Sequence, residues 1–259
     1  MEKVDQNYRQ KTVVVLGPPR SGTSTTAGLL NILGVDMGNL RDATPENPKG
    51  LFEDKDFLSL IREIFIAADP TLKEWNGAVG WKPPSPEAVL SQRDRYKEKI
   101  KELISKRAAE TKSSMWGWKV ASTGMAVELF LPYLSNPHFV VVLRNPLDIA
   151  KSSVEYTKGK ERLNLIESLR VSNSYYQGIF NFLSVHPTLP TMFISFEDMV
   201  NNPTREAKKL ADFLGVEFTP EKAEEAINFV IPRDKIDMEK RKKRVKQSIW
   251  KSFRLLRNR

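Results

Sequence analysis

The apolar run at residues 12–16 (TVVVL) passes directly into residues 17–24 (GPPRSGTS), and a helical pattern begins at Thr23. A strand, a glycine loop and a helix in immediate succession leave few folds open. Unbroken apolarity over a short run marks a strand covered on both faces, the setting of parallel sheet. Gly17 and Gly22 have the G-x4-G spacing of a phosphate loop. In such loops, backbone N–H groups and the following helix N-terminus form a concave anion site. The spacing alone is weak, because two glycines also ease a plain strand-to-helix turn. Arg20, Ser21, Thr23, Ser24 and Thr25 strengthen it by crowding donor side chains around one helix start. An ATP-binding loop would continue with Lys before Ser or Thr. Thr23 takes that place, and the loop's cation is Arg20.

Residues 116–120 (WGWKV), 139–143 (FVVVL) and 191–196 (TMFISF) read as further strands. Helical patterns cover residues 23–33, 54–67, 93–110, 146–156, 163–183, 203–214 and 220–229, with Gly34 as a C-cap and Pro146, Pro203 and Pro220 at first helical positions. Strands alternating with helices predict an α/β fold with a central parallel sheet flanked by helices. Residues 69–90, with four prolines and two tryptophans, read as an irregular loop, either a lid over substrate or a surface excursion. One domain over residues 1–239 followed by a basic tail, 240–259, is the expected organisation.

The string PPRSGTS resembles the 5′-phosphosulfate-binding loop of the sulfotransferases that use 3′-phosphoadenosine 5′-phosphosulfate (PAPS). That family has a second signature: an apolar strand, an Arg at its end and a Ser on the next helix. FVVVLRNPLDIAKSS matches it, with Arg144 at the strand's edge and Ser152 two helical turns on. FISFEDMVNNP with a helix ending in FLGV resembles a later part of the family, and NPKGLFED (residues 47–54) resembles a segment of its bacterial members. The resemblance covers roughly residues 12–216 and implies a three-layer P-loop NTPase-like fold.

It also implies roles. Arg20, Ser21, Gly22, Thr23, Ser24 and Thr25 would hold the donor's 5′-phosphosulfate, and Arg144 with Ser152 its 3′-phosphate. Arg20 would stabilise the leaving phosphate. An alcohol acceptor is a poor nucleophile at neutral pH, so a base should take its proton. Some branches use a glutamate between the two signatures, and Glu53 is the best candidate here. It reads equally well as a helix N-terminal carboxylate, and Asp54 and Asp56 are weaker alternatives. Bacterial relatives read WGxKDPR where this chain has WGWKVAS. Lys119 is kept, facing the transferring sulfonate or merely snorkelling from a strand end, while Val120 and Ser122 replace the acid and the arginine. The expected reaction moves a sulfonyl group from PAPS to an acceptor hydroxyl on a carbohydrate or glycan, without a metal. The alternative is a small-molecule kinase using ATP.

Composition sharpens these readings. Zero cysteine excludes disulfides, thiolate zinc sites and cysteine nucleophiles, and two histidines give no basis for a multi-histidine metal site. Neither His138 nor His186 is well placed to act as the base. The net charge of +9 would ordinarily suggest nucleic acid. Residues 240–259, however, hold ten Lys/Arg and no acid, leaving 31 basic against 32 acidic residues, a body of net −1. No nucleic-acid partner is expected. In the tail, Val245, Ile249, Phe253 and Leu256 share one helical face. Such a basic amphipathic helix suits a membrane surface, a polyanion or docking on the body. The polar N-terminus lacks an apolar signal region, and no run is long enough to span a bilayer, so a cytoplasmic location is expected.

Overall fold

The computed structural model describes residues 10–42, 50–73, 79–157 and 163–230. Four parallel strands, β1 (Lys11–Leu16), β2 (Met115–Lys119), β3 (Pro137–Leu143) and β4 (Thr191–Ser195), form a sheet in the order β2-β1-β3-β4. In register, Val13 faces Gly117 on one side and His138 on the other. The helices are α1 (Thr23–Ile32), α2 (Lys55–Ala68), α3 (Pro86–Leu90), α4 (Arg93–Glu110), α5 (Thr123–Phe130), α6 (Pro146–Tyr156), α7 (Leu165–Val185), α8 (Phe196–Asn201), α9 (Pro203–Leu214) and α10 (Pro220–Phe229).

The unbroken apolarity of β1 has a direct cause. Successive side chains point to opposite faces, and both faces are covered. Val14 and Leu16 join Phe57, Ile61, Trp118, Phe130 and Ile179, a core built with α2, α4, α5 and α7. Val13 and Val15 join Leu29, Leu30, Leu210 and Leu214, a second core built with α1, α9 and α10. Each of these buried aliphatic side chains contributes about 1.5–3 kcal/mol relative to exposure.

The chain leaves β1 for β2 on one side and leaves β3 for β4 on the other. The crevice between the carboxyl ends of β1 and β3 is therefore the topological switch point, where open α/β sheets bind ligands. The loop after β1 and the turn after β3 both open onto it.

Several boundaries differ from the sequence expectation. The last strand stops at Ser195, whose hydroxyl accepts from the Asp198 N–H and starts α8, so Phe196 belongs to a helix. Helix α5 was not anticipated, because nearly all of TGMAVELF is buried and no polar stripe marks a 3.6-residue period. Within residues 69–90 lie 3₁₀ turns at Pro70–Lys73 and Val79–Trp81 and the short α3, begun by a Ser85 cap. Asn47–Lys49 of the NPKG segment and the whole basic tail lie outside the described residues.

Candidate active site

The loop after β1 is shaped by two glycines. Gly22 has φ 103°, and a Cβ there would lie 2.2 Å from Cδ2 of Phe196. At Gly17 an added Cβ would meet Ser21 Oγ at 2.8 Å and Thr23 Cγ2 at 2.9 Å. The loop is thus wound too tightly for side chains at either place. Helix α1 begins on Gly22 with no side-chain cap and no acid in its first turn. Helices α2, α3, α6, α7, α8 and α10 carry side-chain caps, whereas α4, α5 and α9, like α1, do not. Ser21 is buried, and its hydroxyl has no hydrogen-bond partner among the described residues. An uncapped helix start, a glycine-bounded turn and an unmatched buried hydroxyl suit a phosphate or sulfate group. The residues present fit the anions of a nucleotide donor.

The two sequence signatures meet. Arg144 Nη1 donates to the Arg20 carbonyl at 2.7 Å, and Arg20 Nε donates to Ser152 Oγ at 3.2 Å. Arg20 has φ 70°, an uncommon conformation for a residue with a side chain. The Arg144 strap holds it there. Each guanidinium also lies over a ring, Arg20 on Tyr156 at 4.7 Å and Arg144 on Phe196 at 4.3 Å. The Arg144 N–H donates to the Tyr176 hydroxyl at 3.0 Å, which donates to the Val142 carbonyl at 3.3 Å. Burial pushes that hydroxyl's pKa up to about 12, so it stays protonated. Thr23 is buried, and Ser24 and Thr25 are partly exposed in the first turn of α1.

At the neighbouring strand end, Glu53 meets Lys119 and Arg41. Glu53 Oε1 is 3.3 Å from Lys119 Nζ, and Oε2 accepts from Arg41 Nη1 at 2.8 Å. Burial works to raise the Glu53 pKa, but the two cations outweigh it and hold it below the usual 4.5. Burial pushes Lys119 below 10.5, partly offset by Glu53, while Arg41 and Arg20 push it down further. Lys119 is 1% exposed, so the snorkelling alternative fails. Glu53 stands one residue before the cap of α2. Asp54 is that cap, accepting from the N–H groups of Asp56 and Phe57, and its other oxygen accepts from the Asn39 N–H. Asp56 lies 3.8 Å from Lys106.

Three residues without a sequence signature of their own join the site: Trp81, Tyr156 and Tyr175. Trp81 packs against Tyr156 with centroids 6.0 Å apart, placing an aromatic pair beside Arg20. The buried Tyr175 hydroxyl donates to the Gly80 carbonyl at 2.9 Å and hydrogen-bonds Ser122, tying the 79–81 turn to the end of β2. The tryptophan in a proline-rich stretch was the available signal for Trp81. Nothing local marked the tyrosines.

The histidines lie elsewhere. His138 is at the start of β3, with Nδ1 3.0 Å from the Asn136 carbonyl, and His186 closes α7 with Nε2 2.9 Å from Glu128. Among the described residues no cluster of three or more His, Asp or Glu is arranged to hold a metal, and no helix is long and apolar enough to cross a membrane.

Fold and loop together define a nucleotide-binding α/β protein of the P-loop type. The chain matches the sulfotransferase domain family over residues 10–254, and it belongs to that family. It is a PAPS-dependent sulfotransferase, and the kinase alternative falls with that membership. The match runs on into the basic segment. A sulfotransferase from Alicyclobacillus acidocaldarius has a similar structure, with 15% identity, 85% of this chain and 91% of that one covered, and a TM-score of 0.50. The sulfotransferase domain of the curacin biosynthetic pathway is 18% identical over 82% of this chain and 76% of that one, with a TM-score of 0.46. Retinol dehydratase, solved with androsterone and the inactive cofactor PAP, is 13% identical over 85% and 64%, with a TM-score of 0.45. No curated protein sequence matches the chain.

Proposed function

We propose that this enzyme sulfonates a hydroxyl group of a carbohydrate or glycan, with Glu53 as general base and Arg20 and Lys119 as the cations of the transfer. The observation that carries the reading is the junction at the β1/β3 crevice, where Arg20 meets Arg144 and Ser152 beside an uncapped helix start. The loop amides, Ser21 and Ser24 suit the 5′-phosphosulfate, and Arg144 with Ser152 the 3′-phosphate.

As the acceptor oxygen bonds to sulfur, the bond between sulfur and the 5′-phosphate oxygen breaks. The hydroxyl proton passes to Glu53, and the charge left on the phosphate falls to Arg20 and the loop N–H groups. Preorganised donors of this kind need no rearrangement as charge develops. Glu53 is ionised at neutral pH because its cations hold it so. Lys119, fixed by Glu53 and within the field of Arg20, supplies positive charge on the side of the transferring sulfonate. The Trp81–Tyr156 pair supports a sugar acceptor, since aromatic rings pack on the C–H face of a pyranose.

Titration calorimetry with adenosine 3′,5′-bisphosphate and, separately, ATP with magnesium tests the donor side. The bisphosphate should bind without metal and ATP poorly; tight ATP binding indifferent to a 3′-phosphate would overturn the assignment. For the acceptor, labelled PAPS is offered to sugars, phenols and lipid alcohols. Transfer only to phenols or lipids would refute the carbohydrate reading. Glu53→Gln should lower turnover by about 100-fold or more with bisphosphate affinity little changed.

A further inference from the structure

The segment that delivers Glu53 is strained. Phe52, the residue before it, has φ 49°, a left-handed conformation that a bulky side chain rarely adopts. Such a conformation persists only where the surroundings enforce it. On the C-terminal side of Glu53, Asp54 is pinned at the start of α2, and the Arg41 N–H donates to the Glu53 carbonyl at 2.9 Å. These contacts hold the segment after the strained residue. They do not hold Phe52.

The ring of Phe52 rests on Phe229, the last residue of α10, edge to face with centroids 5.7 Å apart and planes at 86°. Phe229 in turn lies against α1. A Cβ added to Gly28 would fall 2.1 Å from Phe229 Cζ and 2.3 Å from Cε1, so the ring occupies the space a side chain would take. Gly28 sits inside a helix, where glycine is unfavourable, and the lodged ring accounts for it. One aromatic side chain therefore touches both the helix that begins at the phosphate loop and the turn that carries the candidate base.

We propose that Phe229 is a positioning residue for Glu53: wedged between Gly28 and Phe52, its ring fixes the strained turn that brings the carboxylate to Lys119. The proposal rests on the reading of Glu53 as general base. With the wedge in place, Phe52 keeps φ 49° and Glu53 keeps both cations; without it, the turn relaxes to an ordinary conformation and the carboxylate moves off its partners. A displacement of about 1 Å at a reacting group is worth on the order of 100-fold in rate.

Three variants test this. Phe229→Ala removes the ring, Gly28→Ala forces it aside without removing any other atom, and Phe229→Leu keeps apolar bulk. For the first two, kcat should fall about 10- to 100-fold, while the Kd for adenosine 3′,5′-bisphosphate changes less than about threefold. The acid limb of the pH profile of kcat should move upward, because a displaced Glu53 loses the cations that depress its pKa. Phe229→Leu should restore part of the rate. In a Glu53→Gln background the Phe229→Ala loss should vanish, since the wedge acts only through that carboxylate. Equal losses of bisphosphate binding and kcat, or an unmoved acid limb, would overturn the proposal, with bisphosphate binding certifying a folded protein. If Glu53→Gln alone leaves turnover intact, the base assignment falls first; if it abolishes turnover but Phe229→Ala and Gly28→Ala do not, only the wedge falls.

Discussion

Arg144 carries two loads, and the substitutions to lysine and alanine separate them. Its guanidinium straps the Arg20 carbonyl at 2.7 Å and stacks on Phe196, and under the proposed function it also holds the 3′-phosphate. A hydrogen bond involving a charged group contributes about 1.5–3 kcal/mol. Alanine removes both the strap and the phosphate contact, for about 3–4 kcal/mol once their shared geometry is allowed for. That weakens bisphosphate binding by about 100- to 1,000-fold. Lysine keeps the charge but lacks the planar fork, so it serves one load at a time. Its expected cost is about 2 kcal/mol, or roughly 30-fold in Kd. Losing the strap should also lower the melting temperature of the free protein by about 2–4 °C for each kcal/mol lost. Calorimetric titration gives Kd and a thermal scan gives the shift, both at low and high salt, where exposed charge effects fade. A lysine variant within threefold of the parent, or an alanine variant that melts earlier yet binds as tightly, would refute the two-load argument.

Gly22→Ala should destabilise the fold by about 1–2 kcal/mol from backbone strain alone. It should also weaken bisphosphate binding, because the new methyl displaces the Phe196 ring that lies under Arg144; denaturant titration and calorimetry check both parts. Lys119→Met should raise the Glu53 pKa and shift the acid limb of activity toward neutral pH, read from initial rates across buffers. In the parent, the Glu53 pKa lies below its unfolded value of 4.5, so its contribution to stability is full above that pH and drains away only as pH falls through the depressed value. Melting temperatures between pH 6 and 3 should follow that order, and a loss beginning near pH 6 would exclude Glu53 as its source.

Much of this molecule could be read from its sequence where the physics is local. The run TVVVL is apolar because both faces of β1 are covered, and the glycines of GPPRSGTS are needed where the chain turns onto α1. Contacts between distant segments left no trace. Arg20 and Ser152 are 132 positions apart, yet one donates to the other. Glu53 reads as a helix N-terminal carboxylate because it precedes a helix; its pairing with Arg41 and Lys119 depends on segments far away in sequence. A strand-end lysine reads as able to snorkel, but Glu53 lies beside Lys119 in the interior. Helix α5 stayed hidden for the opposite reason, since burial on all sides erases the periodicity that reveals a helix.

The placement of the two histidines has a practical consequence. His138 opens β3 and Arg144 follows its end, about 20 Å away at 3.3 Å per residue. His186 lies ten residues along α7 from Tyr176, about 15 Å at 1.5 Å per residue. Reagents that acylate imidazole should therefore label this enzyme without inactivating it, and bound donor should give the labelled rings no protection.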